Sequence, residues 1–312
     1  MHKKHYIIAI DIAKDSLRVQ TLDGAFDTTN DKRGFNQVCR ECAKHLAPRV
    51  VMEATGGYER HICDHLHARG IELVVLNPKL LRDFARSEGV KAKNDPIDGR
   101  MILRFATEKQ LRATPPPDAA QHQLTDLMDR RNQLVSMLTE EKNRAQKSNG
   151  PTRPLLASIK RILKTLEAEI ARLEEAIRKL VSQSKRLSAI VDVTSSVRGV
   201  GEVTAWSLIA YLPEIAQVGR SQLAALAGVA PYDDDSGKSS APRHIHGGRS
   251  KARNAIYMAT HVAATWNPVI KAYVQRLMAR GKPYKCALVA AMRKMLIHIQ
   301  SLIKKQLLTL ES

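Results

Sequence analysis

Tyr6-Ile7-Ile8-Ala9-Ile10 is an apolar run that stops at Asp11. It is too short for a packed helix or for the apolar stretch of a secretory leader, and it reads as a buried strand ended by an acid. Leu17–Leu22 alternates and pairs with it as a hairpin. Working outward, Arg49–Met52 and Glu72–Leu76 have strand character. Phe35–Leu46 and Tyr58–Arg69 between them carry apolar residues at helical spacing. This alternation predicts an α/β domain over residues 1–113.

Asp95–Glu108 reads as a helix, with Asp95 as N-cap and Pro96 at its first position. Thr114-Pro115-Pro116-Pro117-Asp118 cannot continue it, so a boundary falls there. Ala119–Lys147 follows as a long polar helix, and Ser148-Asn149-Gly150-Pro151 is a turn. Beyond the turn, Ile159, Leu163, Leu166, Ile170, Leu173, Ile177 and Leu180 alternate by four and three. That spacing is a coiled-coil seam. Its simplest partner is the preceding helix, folded back as a hairpin over 119–190; the alternative is another copy of the chain. Residues 191–312 read as mainly α. Val197-Arg198-Gly199-Val200-Gly201 leads into the apolar helix Val203–Leu212, resembling a helix-hairpin-helix whose backbone N–H groups approach a phosphate. An ordinary tight turn between helices gives the same pattern. Asp233–Arg249 is a polar loop, and Lys251–Ala264 and Lys285–Lys305 are basic helices.

Charge narrows the partner. The chain of 312 residues carries a formal net charge of +19. From Ser236 to Leu310 there are fourteen Lys or Arg and no Asp or Glu, so the excess is concentrated near the C-terminus. A polyanion accounts for this better than a solubilising surface or a membrane patch, because Lys and Arg displace the counterions condensed on a phosphate backbone. Candidate phosphate contacts are Arg198, Gly199, Gly201, Arg243, Arg249, Lys251 and Arg253. Aromatic residues make up only 4%, which argues against a platform for stacked single strands. No segment is read as a membrane span, and a cytoplasmic protein is expected. Cys39-x-x-Cys42 with His45, and Cys63 among His61, His65 and His67, raise the question of zinc. No second CxxC completes such a site and both groups lie in helical segments, so they read as ordinary thiols.

The acids define a candidate site. Asp11 and Glu53 each directly follow a strand, and strand ends are where sites form in open sheets. Asp95 and Asp98, three apart, share a helical face. Four carboxylates on one spot repel one another unless they hold divalent cations, and hard oxygen ligands suit magnesium and phosphate chemistry. Taken singly, Asp11 is also a plausible turn residue, Asp95 a helix cap and Asp98 a first-turn acid favoured by the helix dipole. Glu53 precedes the tight turn Ala54-Thr55-Gly56-Gly57.

The ordered set Ile10-Asp11-Ile12-Ala13-Lys14, Glu53-Ala54-Thr55-Gly56-Gly57-Tyr58, Asn77-Pro78 and Lys93-Asn94-Asp95-Pro96-Ile97-Asp98 resembles the DEDD transposases of bacterial insertion sequences. That family includes Piv-type DNA invertases and bridge-RNA-guided recombinases. Arg198-Gly199-Val200-Gly201, Ala227-Gly228-Val229-Ala230-Pro231, Ser236-Gly237, Gly247-Gly248-Arg249 and Ile256-Tyr257-Met258 continue the match in order over nearly the whole chain. The resemblance implies an RNase H-like first domain, similar to RuvC-type resolvases, with Asp11, Glu53, Asp95 and Asp98 as its magnesium tetrad. It implies that Ser236 is a nucleophile, that the partner is double-stranded DNA, that a structured RNA guides target choice, and that the chain assembles as a dimer or tetramer. Gly99 stands where the family pattern leads one to expect Ala, and Asp233-Asp234-Asp235 is unusually acidic for this loop. On local grounds Ser236 is a turn residue; the resemblance alone makes it a nucleophile. Arg243, Arg249 or Lys251 would neutralise phosphate, and His244 and His246 would shuttle protons or contact phosphate.

Three other readings compete. A Holliday-junction-type nuclease would use the acids with activated water and no serine. A sugar-kinase-like ATPase would need a glycine-rich hairpin after Asp11, where this chain has Ala13-Lys14-Asp15-Ser16. A non-catalytic nucleic-acid-binding protein leaves the acids unexplained.

Overall fold

The computed structural model describes residues 5–89, 95–116, 118–147, 153–232 and 244–311; for 95–98, 147, 153 and 311 it describes the backbone alone. The chain divides into two compact units, Met1–Pro117 and Asp118–Ser312, parting at the proline run.

The first unit contains β1 (Tyr6–Ile12), β2 (Ser16–Gln20), β3 (Ala25–Thr29), α1 (Lys32–Cys42), β4 (Pro48–Glu53), α2 (Arg60–His67), β5 (Glu72–Leu76), α3 (Pro78–Ser87) and α4 (Asp95–Glu108). The sheet order is β3-β2-β1-β4-β5. The first three strands form an antiparallel meander, while β1, β4 and β5 run parallel. Side chains alternate across the sheet and fill two layers. Ile8, Ile10, Val50, Met52 and Leu73 pack with Phe35, Val38, Ile62 and Leu66 of α1 and α2. Ile7, Ala9, Val51, Val74 and Leu76 face the other way, onto Leu81 and Phe84 of α3 and Ile102 and Phe105 of α4. The short strand β3 is absent from the sequence reading because its face is exposed and only lightly apolar. α3 starts where Asn77 accepts a hydrogen bond from Lys79 N at 2.9 Å, with Pro78 in its first turn. α1 is capped by Asp31, which accepts from Arg33 N and Gly34 N.

The second unit is helical: α5 (Ala119–Lys147), α6 (Arg153–Gln183), α7 (Lys185–Ser195), α8 (Glu202–Tyr211), α9 (Arg220–Leu226), the ribbon β6 (Pro231–Tyr232) and β7 (His244–Ile245), α10 (Ser250–Trp266), α11 (Pro268–Ala279) and α12 (Tyr284–Glu311). α5 and α6 pack along each other, tied by Arg131–Glu174 at 2.7 Å and Lys142–Glu167 at 3.2 Å. Of the seam positions, Ile159, Leu166, Ile170, Ile177 and Leu180 are buried. The far end of the pair forms its own small cluster around Leu134, Leu166 and Ile170. Its near end does not stand apart: Leu124, Met128, Ile177 and Val181 belong to the main core with Trp206 of α8. α12 corrects the expectation about membrane spans, since Tyr284–Leu310 is long and apolar enough to cross a bilayer. Here it is a core helix, with Leu288, Met292, Leu296, Ile299 and Ile303 buried against the other helices.

Gly199 shows why one glycine is required. Its φ is +102°, and a Cβ there would sit 2.8 Å from Ala263 Cβ of α10. Close helix packing therefore accounts for Gly199, whereas Gly201, the N-cap of α8, faces open space. Asn267 braces the same turn, donating to Arg198 O at 3.1 Å. We expect Gly199→Ala to destabilise the helical unit by about 2 kcal/mol or more, and Gly201→Ala by under ~1 kcal/mol. Urea unfolding followed through the fully buried Trp206 checks this; equal midpoints for the two variants would refute the packing explanation.

Candidate active site

The β1–β4 register assembles the first two acids. Ile10 pairs with Met52, and Glu53 pairs with Leu76 of β5. One step further along two parallel strands brings Asp11 beside Glu53. Because Ala9 and Val51 lie on the α3–α4 side of the sheet, alternation puts both carboxylates on that side too. The structure refines their placement: Asp11 lies within β1, held opposite Arg18 of β2, and Glu53 is the last residue of β4. The sequence reading ended both strands early because an acid is a poor predictor of continued pairing.

The start of α4 lies over the same place. A Cβ added at Gly99 would be 3.5 Å from Gln20 Cβ and 3.9 Å from Arg18 Cγ, and Arg18 faces Asp11 across the ladder. Those are ordinary contacts, so nothing in the fold forbids the Ala expected there. Asp95 and Asp98 sit in the turn leading to Gly99. Their side chains lie outside the described residues, and among the described residues no three metal-ligating side chains cluster. What the backbone and register establish is a pair of strand-end carboxylates with two further acids on the helix end above them. That hard-oxygen donor set fits a divalent cation.

Two residues missed by the sequence reading hold the loops around this pair. Glu59 Oε2 accepts from Thr55 N at 3.1 Å, Thr55 Oγ1 at 2.7 Å and Gly57 N at 2.9 Å. It thereby clamps the turn that follows Glu53. Burial opposes the charged form of Glu59, but the hydrogen bonds outweigh it and hold the carboxyl below the usual range. Asn30 Nδ2 donates to Ala13 O at 2.9 Å and Tyr58 O at 3.3 Å, joining the loop after β1 to the loop after β4. Glu59 stands two residues beyond a Gly-Gly turn, a position from which a carboxylate reaches back to turn N–H groups; Asn30 carries no local signal.

Cys39, Cys42 and Cys63 sit in the helical layer on the opposite face. Burial pushes the thiols of Cys42 and Cys63 up to about 12, far from the thiolate that binds zinc. Cys63 Sγ lies 3.5 Å from Met52 Sδ.

In the helical unit, Ser236, Gly237 and Arg243 lie outside the described residues, but the ribbon that flanks them does not. Pro231 pairs with Ile245 and Tyr232 with His244, and Tyr232 stacks on His246 with centroids 4.3 Å apart. The base of this hairpin depends on two glycines crossing. A Cβ on Gly248 would lie 2.4 Å from Gly228 Cα, and both have positive φ. Arg253 Nη1 donates to Gly247 O at 2.6 Å. Arg249 clasps Glu214 through both guanidinium ends, at 2.7 Å and 2.5 Å, and donates to Tyr211 O at 2.9 Å. Lys251 pairs with Asp129 at 2.6 Å and lies over the Tyr211 ring. Three of the expected phosphate contacts are thus engaged within the chain, where they fix the hairpin base. Arg198 remains exposed at its turn.

Residues 8–148 match a DEDD-type transposase model, and residues 192–275 match the model described as Transposase IS116/IS110/IS902 family. The chain belongs to this transposase family. It is therefore a DNA recombinase or transposase. It is 24% identical to a pilin gene-inverting protein of Moraxella lacunata, over 96% of this chain and 95% of that one. The Moraxella bovis pilin gene-inverting protein is 23% identical over the same shares. A probable family 20 transposase of Pseudomonas aeruginosa is 23% identical over 74% of this chain and 75% of its own length. DEDD-type transposases generally use a divalent metal and act on DNA.

We expect Glu59→Gln to cost about 1 kcal/mol at pH 7, since charged acceptors make the stronger bonds. The folded carboxyl titrates below its unfolded value, so its contribution is complete above the unfolded pKa and is lost as pH falls through the folded one. Denaturation of both proteins from pH 7 to pH 3 should show the gap closing with acid. A gap that is constant, or that widens, would contradict the clamp.

Proposed function

We propose that this transposase cuts and rejoins double-stranded DNA through a serine-linked intermediate at a magnesium site formed by Asp11, Glu53, Asp95 and Asp98. The observation that carries the reading is the in-register placement of Asp11 and Glu53 under the first turn of α4. The Met1–Pro117 unit is then an RNase H-like domain, and α5 with α6 a coiled-coil arm suited to assembly as a dimer or tetramer. Magnesium, when bound, supplies Lewis-acid stabilisation of charge on phosphate oxygens.

The residues of the chain do the rest. Ser236 Oγ forms a bond to phosphorus as the bond to one DNA oxygen breaks. That oxygen takes up a proton, and the serine proton passes to a base. His244 and His246, on the β7 side of the hairpin, are the groups the hairpin itself offers for proton transfer or phosphate contact. The resulting phosphoester conserves the energy of the cut bond, so rejoining needs no external source, whereas a hydrolytic nuclease dissipates it. Arg243 and Arg198 are the remaining candidates for phosphate neutralisation. Arg249, Lys251 and Arg253 act at one remove, by holding the hairpin base. A structured guide RNA and a cytoplasmic, nucleoid-associated location follow from the family resemblance.

Asp11→Asn should lower recombination by about two orders of magnitude or more while leaving DNA affinity within a few-fold. Recombination on a paired-site plasmid together with a mobility-shift titration checks this; full activity in the variant removes Asp11 from the site. On a nicked suicide substrate the wild-type chain should form a covalent protein–DNA adduct and Ser236→Ala none. An adduct in Ser236→Ala would displace the nucleophile assignment. Cleavage without any adduct in the wild type would favour the Holliday-junction-type nuclease.

A further inference from the structure

The start of α10 runs against helix electrostatics. The dipole of a helix favours acids in its first turn and disfavours cations there. α10 has no acid in its first turn, and Arg249, Lys251 and Arg253 stand at its N-cap or in the turn that follows. Arg249 is the N-cap residue itself, and its side chain makes no capping hydrogen bond. A helix end built this way needs anions from other elements to stay in place.

Two carboxylates supply them. Glu214, in the loop after α8, takes both ends of the Arg249 guanidinium at 2.7 Å and 2.5 Å. Asp129, on the arm helix α5, takes Lys251 Nζ at 2.6 Å. Tyr211, the last residue of α8, joins the two pairs. Its hydroxyl donates to Asp129 Oδ1 at 2.6 Å and accepts from Asn132 Nδ2, one turn further along α5, at 2.9 Å. Its backbone carbonyl accepts from Arg249 Nη1 at 2.9 Å, and Lys251 Nζ lies 5.1 Å from the centre of its ring. Burial and the Asp129 carboxylate push the Tyr211 hydroxyl above its usual range, so it stays a donor to that carboxylate. α5 is itself fixed at this level. Gln121 Nε2 and Thr125 Oγ1 donate to Ile209 O and Ala210 O at 2.8 Å and 3.2 Å, and Leu124 and Met128 are buried in the main core.

The ribbon hangs from this end of α10. Only His246, Gly247 and Gly248 separate β7 from Arg249. Arg249 N donates to Leu226 O at 2.7 Å, and Arg253 Nη1 to Gly247 O at 2.6 Å. A link so short and so pinned passes the placement of the helix end to β7, and through the ladder to β6.

We propose that Asp129 and Tyr211 are positioning residues for DNA recombination: with Lys251 they fix the start of α10, and hence the β6–β7 ribbon, against the arm helix α5, so that the placement of the arm sets that of the ribbon. This role rests on the reading that the ribbon flanks the reacting serine, and it gives neither residue a contact with DNA.

The test compares the full-length wild type with Asp129→Asn, Lys251→Met, their double variant and Tyr211→Phe. On saturating paired-site plasmid, Asp129→Asn and Lys251→Met should each slow recombination roughly tenfold or more, and Tyr211→Phe about threefold, since a misplacement of about 1 Å is enough to do so. Affinity for the same DNA in a mobility-shift titration should stay within about threefold, because no phosphate contact is lost. The double variant should be no slower than the slower single, as both remove one link. Amide hydrogen exchange over residues 244–253 should quicken about tenfold in Asp129→Asn, with β1 and β4 unchanged. If a variant at 129 or 251 does not fold, Tyr211→Phe, which removes one oxygen atom, decides by rate and exchange. Unchanged exchange over 244–253 would overturn the proposal. So would a double variant whose loss is the product of the single losses, which marks two independent roles. A loss of DNA affinity in Lys251→Met that matches its loss of rate would return Lys251 to a phosphate contact and also overturn it. Failure of the serine reading looks different: Ser236→Ala would still form the protein–DNA adduct, while exchange in Asp129→Asn would still quicken.

Discussion

The parallel pairing of β1 with β4 is the constraint on which the acidic site depends. With Ile10 opposite Met52, both strands present their acids at the same level and on the same face. A slip of one residue would turn Glu53 into the layer formed with Phe35, Ile62 and Leu66. An isolated carboxylate there would lose several kilocalories per mole of hydration. Apolar packing on both faces enforces the register: Val50 and Met52 fill one layer, Val51 the other. The site is thus a by-product of how the strands bury their neighbours, and its charged residues need not hold it together themselves.

The same division between groups that build and groups that act runs through both units. Glu59 and Asn30 spend their polar atoms on the loops around Asp11 and Glu53. Arg249, Lys251 and Arg253 turn inward to Glu214, Asp129 and Gly247. They steady the ribbon beside residues 233–243, where the family resemblance places the nucleophile. A basic composition therefore overstates the cation available to a polyanion. The exposed Lys and Arg of the α11–α12 segment are better placed to meet one than the cations of the hairpin base.

Much of the fold was legible in the sequence because it rests on local periodicity. The run at Tyr6–Ile10, the alternation after Leu17, the helical spacing of α1 and α2 and the four-three seam of α6 each encode an element within a dozen or so residues. The proline run encodes the division between units in the same local way. Elements with weak local signals were missed: β3, whose side chains are mostly exposed, and α3, α9 and α11, which are short or lie among longer basic helices. The four acids and the serine were singled out as candidates through motif order. Asn30 was not, because its role is a contact between two loops distant in sequence, and Glu59 was overlooked although its turn was noticed.

By itself the sequence determined the classes of element, the boundary at the proline run and which acids are candidates, because composition and spacing act over one or two turns of chain. Tertiary structure alone decided which carboxylates become neighbours, since that depends on strand register. It also decided which cations are engaged internally, since Arg249 meets Glu214 only when α10 folds beside the end of α8. And it decided which side chains of α10 face water, because helical phase and the packing of α10 against α8 and α12 select them.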